Sequence, residues 1–252
     1  MIPKITFKPL TQEETARVLS WSLFETSGPL PLRDKTLQIY SNLNMITKNQ
    51  NQQLIIDEIM KIINSQYEKD EHLTNKLTKK YQQIWDKYND EYMQAISQIL
   101  EIEWPENARN ITGKVGNLPV CPRYIQERLF YINYTTEEEI IDTCMHECCH
   151  FLFFEKCKQV LKNITNKDFD TPALLWYLSE ILIDPILNSN KIQKIFKHKF
   201  KSYDIFYNVN INNQPLMKTM NEILNNNTIT DAIIKSYDYL IKYEQELKTN
   251  CE

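Results

Sequence analysis

Two imidazoles and a carboxylate lie close together in the run His146-Glu147-Cys148-Cys149-His150, an H-E-x-x-H pattern. On a helix, His146 and His150 stack on one face, so both rings can reach one ion at Zn–N distances of about 2.0–2.1 Å. Glu147 sits beside them. It is poorly placed to bind the same ion, but it can hold a water at the ion's open position and take its proton, as a general base does. A catalytic zinc site needs a third protein ligand and leaves its fourth position open. Glu180 can supply that ligand from Ser179-Glu180-Ile181-Leu182-Ile183-Asp184. Asp184 falls on the same helical face as Glu180 and can accept the second ring N–H of a ligand histidine, fixing its tautomer and raising its basicity.

These spacings matter only if helices carry them, and the flanking residues predict two. Thr136 followed by Glu139 forms a capping box, and Glu137, Glu138 and Glu139 suit the positive end of a helix dipole, which places a helix over about Glu137 to Lys158. Its other face, Ile140, Ile141, Cys144, Cys148, Phe151 and Leu152, is apolar and can enter a core. Cys148 and Cys149 then act as small buried hydrophobes rather than ligands. Thr171 as N-cap and Pro172 at the first helical position predict a second helix from Ala173 to at least Asp184, bent or interrupted at Pro185. A metzincin would place a third histidine where this chain has Lys156, so that subclass does not apply.

From about Ile111 to Leu187 the chain resembles the gluzincin zinc metallopeptidases, whose signature is an H-E-x-x-H helix followed by a helix carrying E-x-x-x-D. The resemblance implies a zincin-like core, with a small sheet above the first helix and a helical lower lobe supplying the glutamate. It implies His146, His150 and Glu180 as ligands of one Zn2+ per chain, Glu147 as catalytic base and Asp184 behind a ligand histidine. It also implies an oxyanion donor downstream of the third ligand, for which Tyr203, Tyr207 and His198 are the candidates, the two tyrosines preferred. The implied reaction is hydrolysis of a peptide bond. The alternative is a non-catalytic scaffold, stabilised by zinc, that binds a protein or peptide partner in its cleft.

The rest of the chain predicts what holds this centre. Residues Thr11 to about Trp104 read as helices, with Leu54, Ile55, Ile59, Ile62 and Ile63 spaced as one apolar stripe. The texture changes at Trp104-Pro105. Beyond it, Ile111 to Val115 and Leu129 to Tyr134 are short β-prone runs among Gly113, Gly116, Pro119 and Pro122, expected to form a small antiparallel sheet that could pair with an extended substrate. Gly28, Pro29 and Pro31 mark an early turn, and Thr230-Asp231 opens a last helix to about Leu247. The expected fold is therefore mainly α-helical α+β, with a helical N-terminal lobe (1–104) continuous with a zincin-like catalytic core (105–252). Only 3 Gly in 252 residues fits that helical bias.

A net charge of −4 offers no phosphate-neutralising surface, so nucleic acid is not an expected partner; a peptide or protein substrate is. The basic segment from Lys191 to Lys201 reads as a solvated face. No apolar run is long enough to span a bilayer, and the first residues lack a secretory h-region, which points to the cytoplasm and to 6 reduced cysteines.

Overall fold

The computed structural model describes residues 2–25, 31–49 and 51–251, so Gly28 and Pro29 of the expected early turn lie outside the described residues. The order of elements is β1 (Lys4–Pro9), α1 (Gln12–Phe24), α2 (Leu32–Ile39), α3 (Gln52–Trp85), α4 (Asn89–Leu100), β2 (Asn110–Val115), β3 (Arg123–Tyr124) and β4 (Leu129–Ile132). It continues through α5 (Glu137–Val160), α6 (Leu174–Leu187), α7 (Asn190–Ile195), α8 (Asp204–Asn208), β5 (Asn210–Ile211), β6 (Gln214–Pro215), α9 (Leu216–Asn225), α10 (Ile229–Lys242) and α11 (Glu244–Cys251). The chain is mainly helical with little strand, an α+β architecture dominated by helices.

The sheet differs from the expected antiparallel one. Its order is β1-β2-β4-β3; β1 with β2 and β2 with β4 are parallel, and only β3 runs antiparallel to β4 at the edge. Two β-prone runs close in sequence read as a hairpin, but residues 116–128 separate them. That stretch meets the dozen or so residues a parallel crossover requires. Because β2 and β4 have neighbours on both sides, neither offers a free edge to a substrate; β3 does. The strand β1 carries no turn signal ahead of it and was not foreseen. It pairs with β2 from Lys4↔Asn110 to Pro9↔Val115, so residues on both sides of Trp104 share one sheet. Gly113 makes the pairing possible, since a Cβ there would stand 2.8 Å from the Phe7 ring.

The helices differ in detail. In α3 the buried stripe is Ile55, Ile56, Ile59 and Ile63, while Leu54 is exposed. The last expected helix is two, α10 capped by Thr228 and then α11. The largest buried cluster joins the sheet to α3, α4, α5, α6 and α10 through Trp85, Tyr92, Phe130, Phe151, Leu178 and Ile233. A second cluster, with Leu19, Leu43 and Ile59, lies among α1, α2 and α3.

Candidate metal centre

The helix α5 begins with the foreseen capping box: Glu139 N–H donates to the Thr136 hydroxyl and the Glu139 carboxylate accepts the Thr136 N–H. Its apolar face is fully enclosed, including Cys144, Cys148 and Cys149. The Tyr92 hydroxyl donates to the Met145 carbonyl from α4, fixing the helix beside the motif. The second helix, α6, starts at Leu174 with Ala173 as N-cap, later than Thr171-Pro172 predicts. It continues past Asp184 to Leu187, so Pro185 does not interrupt it. Pro185 sits in the last turn, where only the Ile181 carbonyl loses its helical partner, and the Asn188 N–H closes the end on the Asp184 carbonyl at 2.9 Å.

Packing of α6 against α5 brings the three expected ligands together. The Nε2 atoms of His146 and His150 are 2.9 Å apart, and Glu180 faces them with Oε2 3.4 Å from His146 Nε2 and Oε1 3.3 Å from His150 Nε2. Atoms about 2.0–2.2 Å from one tetrahedral ion lie roughly 3.3–3.6 Å from each other, so the triangle has the size a single zinc ion needs, with the imidazole pair slightly close. Among the described residues this is the one His, Cys, Asp or Glu group so arranged. Two further observations fit a cation here: Glu180 Oε2 is buried with no hydrogen-bond donor among the described residues, and two ring nitrogens point at each other. Burial, helped by the Arg123 charge, draws His150 down to about 4, which leaves its imidazole neutral, the form able to bind a metal. Burial opposes the charge on Glu180, but the facing imidazoles hold its carboxyl well below the usual range.

Glu147 lies outside that triangle, its carboxylate turned toward Arg123, a residue the sequence did not single out. Arg123 Nη1 donates to Glu147 Oε2 at 3.1 Å and Nη2 to Glu180 Oε1 at 3.2 Å. The guanidinium lies 5.5 Å from the centre of the Phe154 ring, and the side chain is only 12% exposed. No periodicity could have revealed it, because Arg123 is in a turn-rich stretch and reaches its partners across tertiary space.

The tyrosines separate. Tyr203 lines a cleft of about 770 Å3 with Arg123, His146, Glu147, Glu180 and Trp176, its ring 6.2 Å from that of Trp176. Burial and the nearby Glu180 and Glu147 charges raise its pKa, so the phenol stays protonated and can donate. Tyr207 instead donates its hydroxyl to Asp184. Asp184 also accepts from Asn188 Nδ2 at 2.7 Å, so the hydrogen-bond partners of this carboxylate are the residue capping α6 and a tyrosine of α8, not a histidine of the motif. His198 faces α5 one turn before the motif, its Nδ1 2.6 Å from Glu138 Oε1 and its Nε2 2.8 Å from Asp142 Oδ2. The lysines around it are exposed. No helix of the described residues is long and apolar enough to cross a membrane.

Compared with protein-family models, with curated proteins and with solved structures, the chain gives no match. Its functional reading therefore stands on residues and geometry alone.

Proposed function

We propose that the chain is a zinc-dependent hydrolase of peptide bonds, with His146, His150 and Glu180 holding the ion and Glu147 as general base. The observation that carries this is a ligand triangle of the right size, of which His146 and Glu180 line the cleft, with a carboxylate beside it in the same cleft that does not belong to the triangle. Bound zinc supplies Lewis-acid polarisation of the scissile carbonyl and makes the attacking water more acidic. Glu147 takes the proton from that water and delivers it to the leaving amine. Tyr203, protonated and facing the cleft, donates a hydrogen bond to the oxygen on which negative charge develops. Trp176 and Tyr203 give the substrate an aromatic wall.

The test begins with metal content by plasma mass spectrometry on untagged wild type, His146→Ala, Glu180→Ala and Glu147→Gln. Near-stoichiometric zinc in wild type and Glu147→Gln, with loss in the two ligand variants, is expected. On a peptide library, Glu147→Gln should lose cleavage while keeping its metal. Cleavage that survives this substitution excludes the mechanism, and metal-loaded wild type that cleaves nothing favours the zinc-stabilised scaffold.

A further inference from the structure

Resting on that reading of the site, we propose that the N-terminal helices supply a substrate pocket that takes a large apolar side chain of the peptide. The cleft that His146 and Glu147 line is also lined by Trp21 of α1, by Leu32 of α2, and by Pro119 and Val120 from the stretch between β2 and β3. Its volume of about 770 Å3 is in the upper part of the range of sites that enclose a drug-sized ligand, so it has room for a short stretch of peptide. Trp21 stands apart on its helix. The side of α1 that enters a core carries Ala16, Leu19 and Leu23, whereas Trp21, two positions from each leucine, is turned off that stripe and is 39% exposed. One exposed apolar residue is ordinary, but this one shares a cleft with three others and with the metal centre.

The wall is built without the substrate. Thr36 Oγ1 hydrogen-bonds Ser22 Oγ at 2.7 Å and Arg33 Nη1 donates to the Leu23 carbonyl at 3.2 Å, which holds α2 against α1. Val18 of α1 shares a buried cluster with Leu118, against which Val120 packs, and the Tyr40 hydroxyl at the end of α2 donates to the Asn117 carbonyl at 2.9 Å. Residues 117–120 are therefore held by both helices, and a pocket formed in advance costs little ordering when it is filled. Its charges select no sign: Glu25 and Lys35 both line the cleft. Trp21 Nε1, the one polar atom of its ring, already donates to Glu25 Oε2 at 3.2 Å. What this wall offers a substrate is aromatic and aliphatic surface, which gains most from covering a side chain such as Leu or Phe.

Cleavage of a peptide library in which each position is varied in turn tests this on zinc-loaded wild type and Trp21→Ala. Wild type should favour large apolar side chains over Gly at one fixed position by at least about tenfold in kcat/KM, the low end of what burying such a side chain gives. In Trp21→Ala that preference should fall severalfold, with the preferences at other positions and the zinc content unchanged. A profile in Trp21→Ala that keeps the wild-type preference overturns the proposal, and so does a wild type with no apolar preference at any position. A uniform loss of rate across the library, the mark of a merely structural role, overturns it too. Should Trp21→Ala not fold, Trp21→Gln takes its place with the same loss expected, and an unchanged profile there overturns the proposal equally. Wild type that binds no zinc or cleaves no peptide defeats the hydrolase reading and this inference with it, whereas wild type that cleaves peptides with a profile indifferent to Trp21 defeats the inference alone.

Discussion

Tyr203 and Tyr207 are close neighbours in sequence, yet their hydroxyls work in different places. Tyr203 faces the cleft, whereas Tyr207 is bound to Asp184 and the Ser202 N–H donates to its oxygen at 3.2 Å. If Tyr203 supplies the oxyanion donor, Tyr203→Phe should lower kcat by about 100-fold, as loss of one such donor typically does, with little change in KM. Tyr207→Phe should instead cost about 0.5–1.5 kcal/mol of unfolding free energy, the scale of a typical intramolecular hydrogen bond, measured by urea denaturation. Steady-state kinetics that find the larger kcat effect in Tyr207→Phe would reverse these assignments. His146, Glu147, His150 and Glu180 were legible because helical periodicity is local: four-residue spacing on two capped helices places them before any tertiary contact is known. Asp184 was legible as an acid on the face of Glu180, but its partner was not, because the fold of residues 196–208 decides which group reaches it.

The helix α5 carries its chemistry on a buried element, and its charges must therefore be compensated. Asp142, one turn before His146, is pushed up to about 6 by burial, an effect that the charge of His198 only partly offsets, and its Oδ1 has no hydrogen-bond partner among the described residues. A carboxyl whose folded pKa lies above its unfolded value of 3.8 contributes stability that is present below that value and is lost as pH rises through about 6. Asp142→Asn keeps an acceptor for His198 and removes this titration. Its stability relative to wild type should therefore rise between pH 4 and pH 7 by on the order of 1–3 kcal/mol, measured by urea unfolding of metal-free protein. A difference that does not vary with pH would assign the raised pKa no role in stability. The start of α5 was readable because a capping box marks it at Thr136, whereas α6, expected from Thr171-Pro172, begins at Leu174 behind Ala173, which has no side chain to cap it. The sheet was misread for a related reason, because strand direction depends on the path of residues 116–128 and not on the β-propensity of either run.

The whole molecule joins these parts through the sheet and the interface of α5 with α6. The strand β1 pairs along its length with β2, and Glu14 on α1 pairs with Lys114 on β2, so the N-terminal helices are built onto the same sheet that carries Arg123 at its other edge. The three candidate ligands come from two helices separated by the segment between Val160 and Leu174, and their convergence exists only when those helices are packed. An ion bound by all three thus binds the native chain and not the unfolded one, and stabilises it by about 2.7 kcal/mol at a free concentration of 100 Kd. For a chain of this size that raises Tm by roughly 5–11 °C, a shift readable by calorimetry of EDTA-treated and zinc-loaded protein. His146→Ala and Glu180→Ala should each abolish most of it, because two remaining ligands hold zinc far more weakly. A zinc-dependent rise in Tm that persists in both variants would place the ion elsewhere in the molecule, and with it the chemistry assigned to this cleft.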